Sequence, residues 1–275
     1  MPAGHESAPL IDGFGRVHRD LRLSVTDRCN VRCTYCLPVE GMVWQPRDEL
    51  LTFEEIERLA RLMVERYGVD SIRLTGGEPT VRAHLPRLVS MLAGLEVDLA
   101  MTTNGTSLPA LAAPLRDAGL RRVNISLDSL RNDRFEQLTR RDELPRVLEG
   151  IDAAIAVGFD PVKINVVVMR GANDDELVEF ARFGRERGVV VRFIEFMPLD
   201  ADRSWTDQSV VSQAEIVERI DEVFPLEAVI RTSAPASVWR YADGGGEIGV
   251  VASVTQSFCS SCDRVRFTAD GQFRN

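Results

Sequence analysis

The chain has 275 residues, 44% of them apolar, and a formal net charge of −9. That length and composition suit a soluble globular protein of one or two domains, and the acidic balance excludes a general nucleic-acid binder, which needs a basic surface to displace counterions. The first fifteen residues are polar and turn-rich, with no basic stretch leading into an apolar run, and no run approaches membrane-spanning length, so neither a leader nor a membrane partner is expected.

An apolar strand is predicted at residues 21–25, followed at once by a cysteine-rich run and then by a helix over 52–67. Thr52 with Glu55 three residues on forms a capping box, and Gly68 supplies a left-handed C-terminal cap. Strands follow at 71–75, 97–103, 122–127, 162–169 and 189–196, and helices at 85–92, 108–118, 144–157 and 174–187. Strand then helix, six times over, demands parallel strands joined by right-handed crossovers. The apolar run Val166-Val167-Val168-Met169 predicts burial on both faces. A closed eight-unit barrel needs about 250 residues, whereas the sixth strand here ends before residue 200. The fold class is therefore α/β, a partial (β/α)6 TIM-like barrel open on one side.

Beyond Phe196 come a polar loop at 200–209, a helix opened by Ser212 and Glu215 as a second capping box, and from Val229 a set of short antiparallel strands turning at 243–246 and 270–271. The division expected is a flexible tail at 1–15, the barrel at 16–198 and a C-terminal extension at 199–275 that covers the open side.

Five cysteines in two tight groups fit a reducing, cytoplasmic setting and metal binding better than a disulfide framework. Cys29, Cys33 and Cys36 stand in a C-x3-C-x2-C pattern just past the first strand. Three convergent thiolates suit a cubane iron-sulfur cluster with one iron left open. A structural zinc site normally has four protein ligands, and no fourth cysteine or histidine lies within ten residues, which weakens that reading. Other polar residues collect at strand ends: Thr75-Gly76-Gly77-Glu78-Pro79, whose glycines let backbone approach a ligand and whose carboxylate can accept from an ammonium group; Thr102 to Gly105; Ser126-Leu127-Asp128; and Glu195 to Pro198. Lys163 is the only lysine among 33 basic residues and shares a strand face with Asn165. Together with Arg22 and Arg73, also within strands, it suits an anion or a nucleobase in the barrel. The bland alternative is an edge lysine reaching water along its stem.

The cysteine run, with Tyr35 before the last cysteine, resembles the signature of the radical S-adenosylmethionine (SAM) enzymes. That resemblance implies a 4Fe-4S cluster on Cys29, Cys33 and Cys36 that cleaves SAM to methionine and a 5′-deoxyadenosyl radical. The segments Asp20 to Cys29, Arg192 to Pro198 and Gln256 to Gly271, which include Cys259-Ser-Ser-Cys262, resemble more narrowly the GTP 3′,8-cyclase family of molybdenum cofactor biosynthesis. The resemblance implies GTP as substrate, contacted by Arg22, Arg73, Thr102, Lys163, Arg264, Val265 and Arg266. It implies SAM contacts from Tyr35, Gly77, Ser126 and Met197. Cys259 and Cys262 become two of three ligands to a second 4Fe-4S cluster that binds the guanine. The family's third cysteine falls at position 276, one past Asn275, so that site is expected to be incomplete in these 275 residues, with SAM bound but GTP not efficiently cyclised. A flavodoxin-like electron donor, a downstream pyranopterin synthase and a homodimer are implied by the resemblance alone. The rival readings are a radical SAM enzyme acting on a peptide or RNA, and a non-catalytic iron-sulfur carrier or zinc-binding protein.

Overall fold

The computed structural model describes residues 8–38, 42–199, 205–229 and 236–274. Six parallel strands lie side by side in chain order: β1 (Asp20–Ser24), β2 (Ser71–Thr75), β3 (Asp98–Thr103), β4 (Arg122–Ser126), β5 (Val162–Val168) and β6 (Val190–Glu195). The crossovers carry α1 (Phe53–Tyr67), α2 (Leu85–Ala93), α3 (Leu108–Asp117), α4 (Asn132–Thr139), α5 (Leu144–Ala156) and α6 (Leu177–Arg187). The α1 capping box forms as expected, and Gly68 closes the helix at φ 70°, where a glycine avoids the Cβ clash. A second helix in one crossover, α4, was not foreseen: its eight residues hold only Phe135, Leu138 and Thr139 as buried positions and carry no side-chain N-cap.

β5 reads alternately buried and half-buried along its whole length, so Val167 is not enclosed on both faces as its apolar run predicted. The reason is that only the helix side of the sheet is dry. Leu21, Ile72, Leu99, Val123, Ile164 and Val191 form the main core there, each fully buried chain adding roughly 1.5–3 kcal/mol. The opposite face carries Arg22, Arg73, Thr102, Asn124, Lys163, Asn165 and Arg192, which the strand registers set next to one another.

The extension continues this sheet at both edges. After α7 (Gln213–Asp221) come β7 (Leu226–Ala228), β8 (Ser237–Tyr241) and β9 (Glu247–Val251), then β10 (Arg264–Phe267) and β11 (Phe273–Arg274). The sheet order is β11-β10-β1-β2-β3-β4-β5-β6-β9-β8-β7, and it does not close. The tail is mixed rather than purely antiparallel: β7, β8 and β9 pair antiparallel, as do β10 and β11, but β9 joins β6 and β10 joins β1 in parallel. Ser212 caps α7 by accepting from the Glu215 amide, but Glu215 gives its carboxylate to Arg170 and Arg219, so the second capping box does not form. The expected polar loop falls partly, at 200–204, outside the described residues, as do residues 1–7 and Asn275. Residues 8–18 pack on the barrel, with the Ala8 amide donating to the Arg66 carbonyl and an antiparallel bridge from Ile11 to Val17. No helix among the described residues is long and apolar enough to cross a membrane.

Candidate active site

Directly after β1, the loop bearing Cys29, Cys33 and Cys36 is tied down along its length. The amides of Arg32 and Thr34 donate to the carbonyls of Thr139 and Leu138 at the end of α4, each at 2.9 Å. Arg32 donates back to the carbonyls of Cys29 and Val31, Arg141 to that of Asn30, and Arg140 to that of Leu37. All five cysteines are free thiols. Burial pushes the Cys33 pKa well up, the Asp128 carboxylate adds to this, and the sulfurs of Cys36 and Cys29 act in the same direction; Cys29 and Cys36 are also raised, mainly by burial. Three sulfurs that oppose one another's ionisation call for a cationic centre, which inverts that balance. No three His, Cys, Asp or Glu side chains among the described residues converge on a single metal-ion position. It is the donor set itself, three cysteines on one short loop, that suits a cubane with one iron left open better than a closed four-ligand zinc site.

The Gly-Gly-Glu-Pro turn packs against the root of this loop. The Gly77 amide donates to the Thr26 carbonyl and that of Glu78 to the Arg28 carbonyl, both at 2.8 Å. A Cβ on Gly76 would lie 2.3 Å from the Thr26 carbonyl oxygen, and one on Gly77 would lie 2.2 Å from that of Arg28. The two glycines therefore serve a close approach of backbone to backbone rather than only to a ligand. Glu78 also departs from expectation. Its buried carboxylate accepts from the Thr80 amide and hydroxyl, the Thr103 hydroxyl and the Asn104 amide at 2.6–3.0 Å, locking the turn to the end of β3. With those four donors, it is not held for an ammonium group.

Within the barrel the cations crowd together. Arg22 is beside Arg73 in register and beside Arg266 of β10 on its other side, while Asp20 is opposite Arg264. Burial, then Arg264, brings Arg22 down to about 10; burial, then Arg73, does the same to Arg192. Burial, then Arg192, lowers Lys163 to about 8. The Arg22 Nε, the Arg73 Nε and Nη1 and the Asn165 Oδ1 are buried with no hydrogen-bond partner. Unpaired buried donors are costly, so those of Arg22 and Arg73 mark a place for an anion, while the Asn165 oxygen can accept from an N–H or O–H group.

The second cysteine pair lies at the other end of β1. Because β10 runs parallel to β1 and begins opposite Asp20, Cys262 sits at the amino end of β1 and Cys29 beyond its carboxyl end. The five-residue strand spans roughly 16 Å at about 3.3 Å per residue. The Arg264 Nε approaches the Cys262 sulfur at 3.2 Å, and Arg16, itself paired with Asp12, donates to the Cys259 carbonyl.

Most of the strand residues singled out in the sequence thus gather along one face. Thr102 and Ser126 sit at or near the carboxyl ends of β3 and β4, Met197 follows β6 on the same side, and Arg264 and Arg266 share the Arg22 face. The Val265 side chain points the other way, into the core beside Leu21, so only its backbone faces the lumen. Tyr35 packs its ring on the cluster of Leu138, Met169 and Phe196. Arg192 and Asn124 were overlooked as lumen residues, although each interrupts an apolar strand in phase with Lys163.

Residues 23–184, more than half the chain, match the Radical SAM superfamily, and residues 189–275 match the Molybdenum Cofactor Synthesis C family. The GTP 3′,8-cyclase of Mycolicibacterium smegmatis is 47% identical over 97% of this chain and 76% of its own length. That of Acidothermus cellulolyticus is 51% identical over 96% and 75%. Among solved structures, methylornithine synthase superposes with a TM-score of 0.60 at 18% identity, covering 78% of this chain and 64% of its own. Escherichia coli coproporphyrinogen III oxidase, a radical SAM enzyme, does so at 0.53 and 15%, covering 80% and 52%; at such identities the likeness concerns the fold. On the strength of the relatives near half identical along three quarters of their own length, the chain belongs to the GTP 3′,8-cyclase family of radical SAM enzymes.

Proposed function

We propose that the protein converts GTP to (8S)-3′,8-cyclo-7,8-dihydro-GTP, joining ribose C3′ to guanine C8 in the first step of molybdenum cofactor biosynthesis. The observation that carries this reading is the cluster of buried cations inside the barrel, with unpaired donors on Arg22 and Arg73, between two groups of cysteines. Cys29, Cys33 and Cys36 fit a 4Fe-4S cluster, which with SAM supplies a 5′-deoxyadenosyl radical able to take hydrogen from an unactivated carbon. The other tasks belong to the chain. Arg22, Arg73, Lys163, Arg192, Arg264 and Arg266 hold the triphosphate, the arginines by their planar forks. Thr102 and Asn165 offer hydroxyl and amide groups to the nucleoside. Gly77, Ser126 and Met197, with the backbone at Tyr35, lie on the cluster side and orient SAM.

Cys259 and Cys262 are, in the same reading, two ligands of a second cluster that holds the guanine. A cytoplasmic setting accords with five free thiols. A low-potential, flavodoxin-like donor, a downstream pyranopterin synthase and a homodimer complete the reading by analogy with the family. The test is anaerobic reconstitution with iron and sulfide, then incubation with reductant, SAM and GTP. In a chain extended through the family's third C-terminal cysteine, GTP-dependent release of 5′-deoxyadenosine together with a cyclised nucleotide is expected, and serine at Cys29, Cys33 or Cys36 should abolish both. Release of 5′-deoxyadenosine without any response to GTP points to another substrate, such as a peptide or RNA. No release from a protein with its first cluster intact refutes the radical SAM reading.

A further inference from the structure

The geometry points to Asp128 as a positioning residue that fixes the first cysteine loop, acting through the hydroxyl of Tyr35; the inference rests on the radical SAM reading of that loop. The Tyr35 hydroxyl donates to the Asp128 Oδ2 at 2.6 Å. Asp128 is 2% exposed, and each of its other acceptors is also engaged: Oδ1 accepts from the Val167 amide of β5 at 2.8 Å, and its carbonyl accepts from the Asn173 Nδ2 at 2.7 Å. Asn173 in turn donates to the Val167 carbonyl and accepts from the Met169 amide, both at 2.8 Å. The carboxylate is thus held by the ends of β4 and β5 and by the turn after β5, and it is the rigid partner of the pair.

Tyr35 stands two residues after Cys33 and one before Cys36, so whatever fixes its side chain fixes the spacing of two thiolates. The ring packs on the Leu138, Met169 and Phe196 cluster, and the hydroxyl, which also meets the Cys33 side chain, has Asp128 as its carboxylate anchor. Asp128 also lies two residues beyond Ser126, the β4 residue assigned to SAM. The same short segment therefore meets both the cluster loop and one SAM contact, and the Tyr35–Asp128 hydrogen bond is the side-chain tie between them. Outer partners of this kind orient metal ligands, and their loss typically costs about ten- to a hundredfold in affinity or activity. The resemblance to the family assigns position 35 to SAM binding; the bond from its hydroxyl to Asp128 adds a hold on the loop to that role.

The test uses Tyr35→Phe, which removes only the hydroxyl, and Asp128→Asn, whose carboxamide oxygen can still accept from the Val167 amide while its NH2 donates to the Tyr35 oxygen. The readouts are iron per chain after reconstitution, the electron paramagnetic resonance spectrum of the reduced cluster with and without SAM, and melting of the metal-free protein. The spectra are taken on samples prepared at a temperature where every variant is folded. Tyr35→Phe should bind SAM about ten- to a hundredfold more weakly and lose the spectral change that SAM induces, while Asp128→Asn retains both. A Tyr35→Phe protein with parental SAM affinity and an unaltered spectral response overturns the inference. So does an Asp128→Asn protein as impaired as Tyr35→Phe, since rescue by the alternative donor would then have failed. A parental protein whose reduced cluster does not respond to SAM defeats the radical SAM reading itself, and this inference with it.

Discussion

Replacing Lys163 by methionine keeps the length of the side chain and removes its charge, and the structure predicts opposite consequences for substrate binding and for folding. The ammonium is drawn down from 10.5 to about 8 by burial and by Arg192, so the metal-free protein holds this charge at a cost. Taken at face value that difference corresponds to roughly 3 kcal/mol. Because the side chain is only half-buried, screening reduces the figure to about 1 kcal/mol. Lys163→Met should therefore raise the melting temperature of the metal-free, ligand-free protein by about 2–4 °C. A charge-assisted hydrogen bond to a phosphate oxygen is worth about 1.5–3 kcal/mol, so GTP should bind roughly ten- to a hundredfold more weakly while SAM binding stays unchanged. Calorimetric titration with each ligand and a thermal scan of the unliganded protein give the three numbers. If the melting temperature falls by several degrees, or both ligands weaken equally, Lys163 is a packing residue and the argument from crowded cations is wrong.

GTP affinity should also depend on pH through Lys163. Its folded pKa lies below the unfolded value, so between pH 8 and about 10.5 the unfolded chain holds more protons and this group's contribution to stability rises with pH, while GTP binding weakens as the ammonium discharges above pH 8. Binding isotherms from pH 7 to 9.5 should show the loss in the parent and not in Lys163→Met. Gly77→Ala should cost about 1–3 kcal/mol by overpacking, because the new methyl would lie 2.2 Å from the Arg28 carbonyl oxygen; iron uptake and the melting temperature should fall together, and normal iron content would contradict the close approach. Glu195→Gln should destabilise by about 1–3 kcal/mol in urea titration, since its buried carboxylate accepts from the amides of Gln213, Val254 and Thr255 and from the Thr255 hydroxyl, and an NH2 there would face donors.

Strand order and helix placement could be read from residue patterns because both depend on local period and length. Capping at Thr52 and Gly68 is equally local, and it was legible for that reason. What escaped depends on partners far apart in the chain. Glu78 looked free to meet a ligand, yet its four donors come from Thr80, Thr103 and Asn104, and no pattern within the turn announces the last two. Arg192 carried a signal that was present but unused: it alternates with buried Val191 and Phe193. The buried face of Val167 was misjudged because an apolar run does not say whether the far side of a sheet is filled. The cysteine groups were legible as types of ligand, but their placement at opposite ends of β1 depends on the parallel pairing of β10, which turn chemistry near residue 270 could not reveal.

That pairing has a consequence for the order of assembly. β10 lies beside β1 although the whole barrel separates them in sequence, and such distant contacts are the slowest to form because the intervening chain must be ordered first. A chain emerging from the ribosome completes α4, β5 and the turn at Asn173, and with them the supports of the Cys29 loop, well before Arg264 and Arg266 exist. The site for the first cluster can thus take shape on the nascent chain, while the wall that carries Arg264 and Arg266 is added later. Until that strand docks, one edge of β1 has no partner, and this is the interval in which the growing protein is most exposed to pairing with a neighbouring chain.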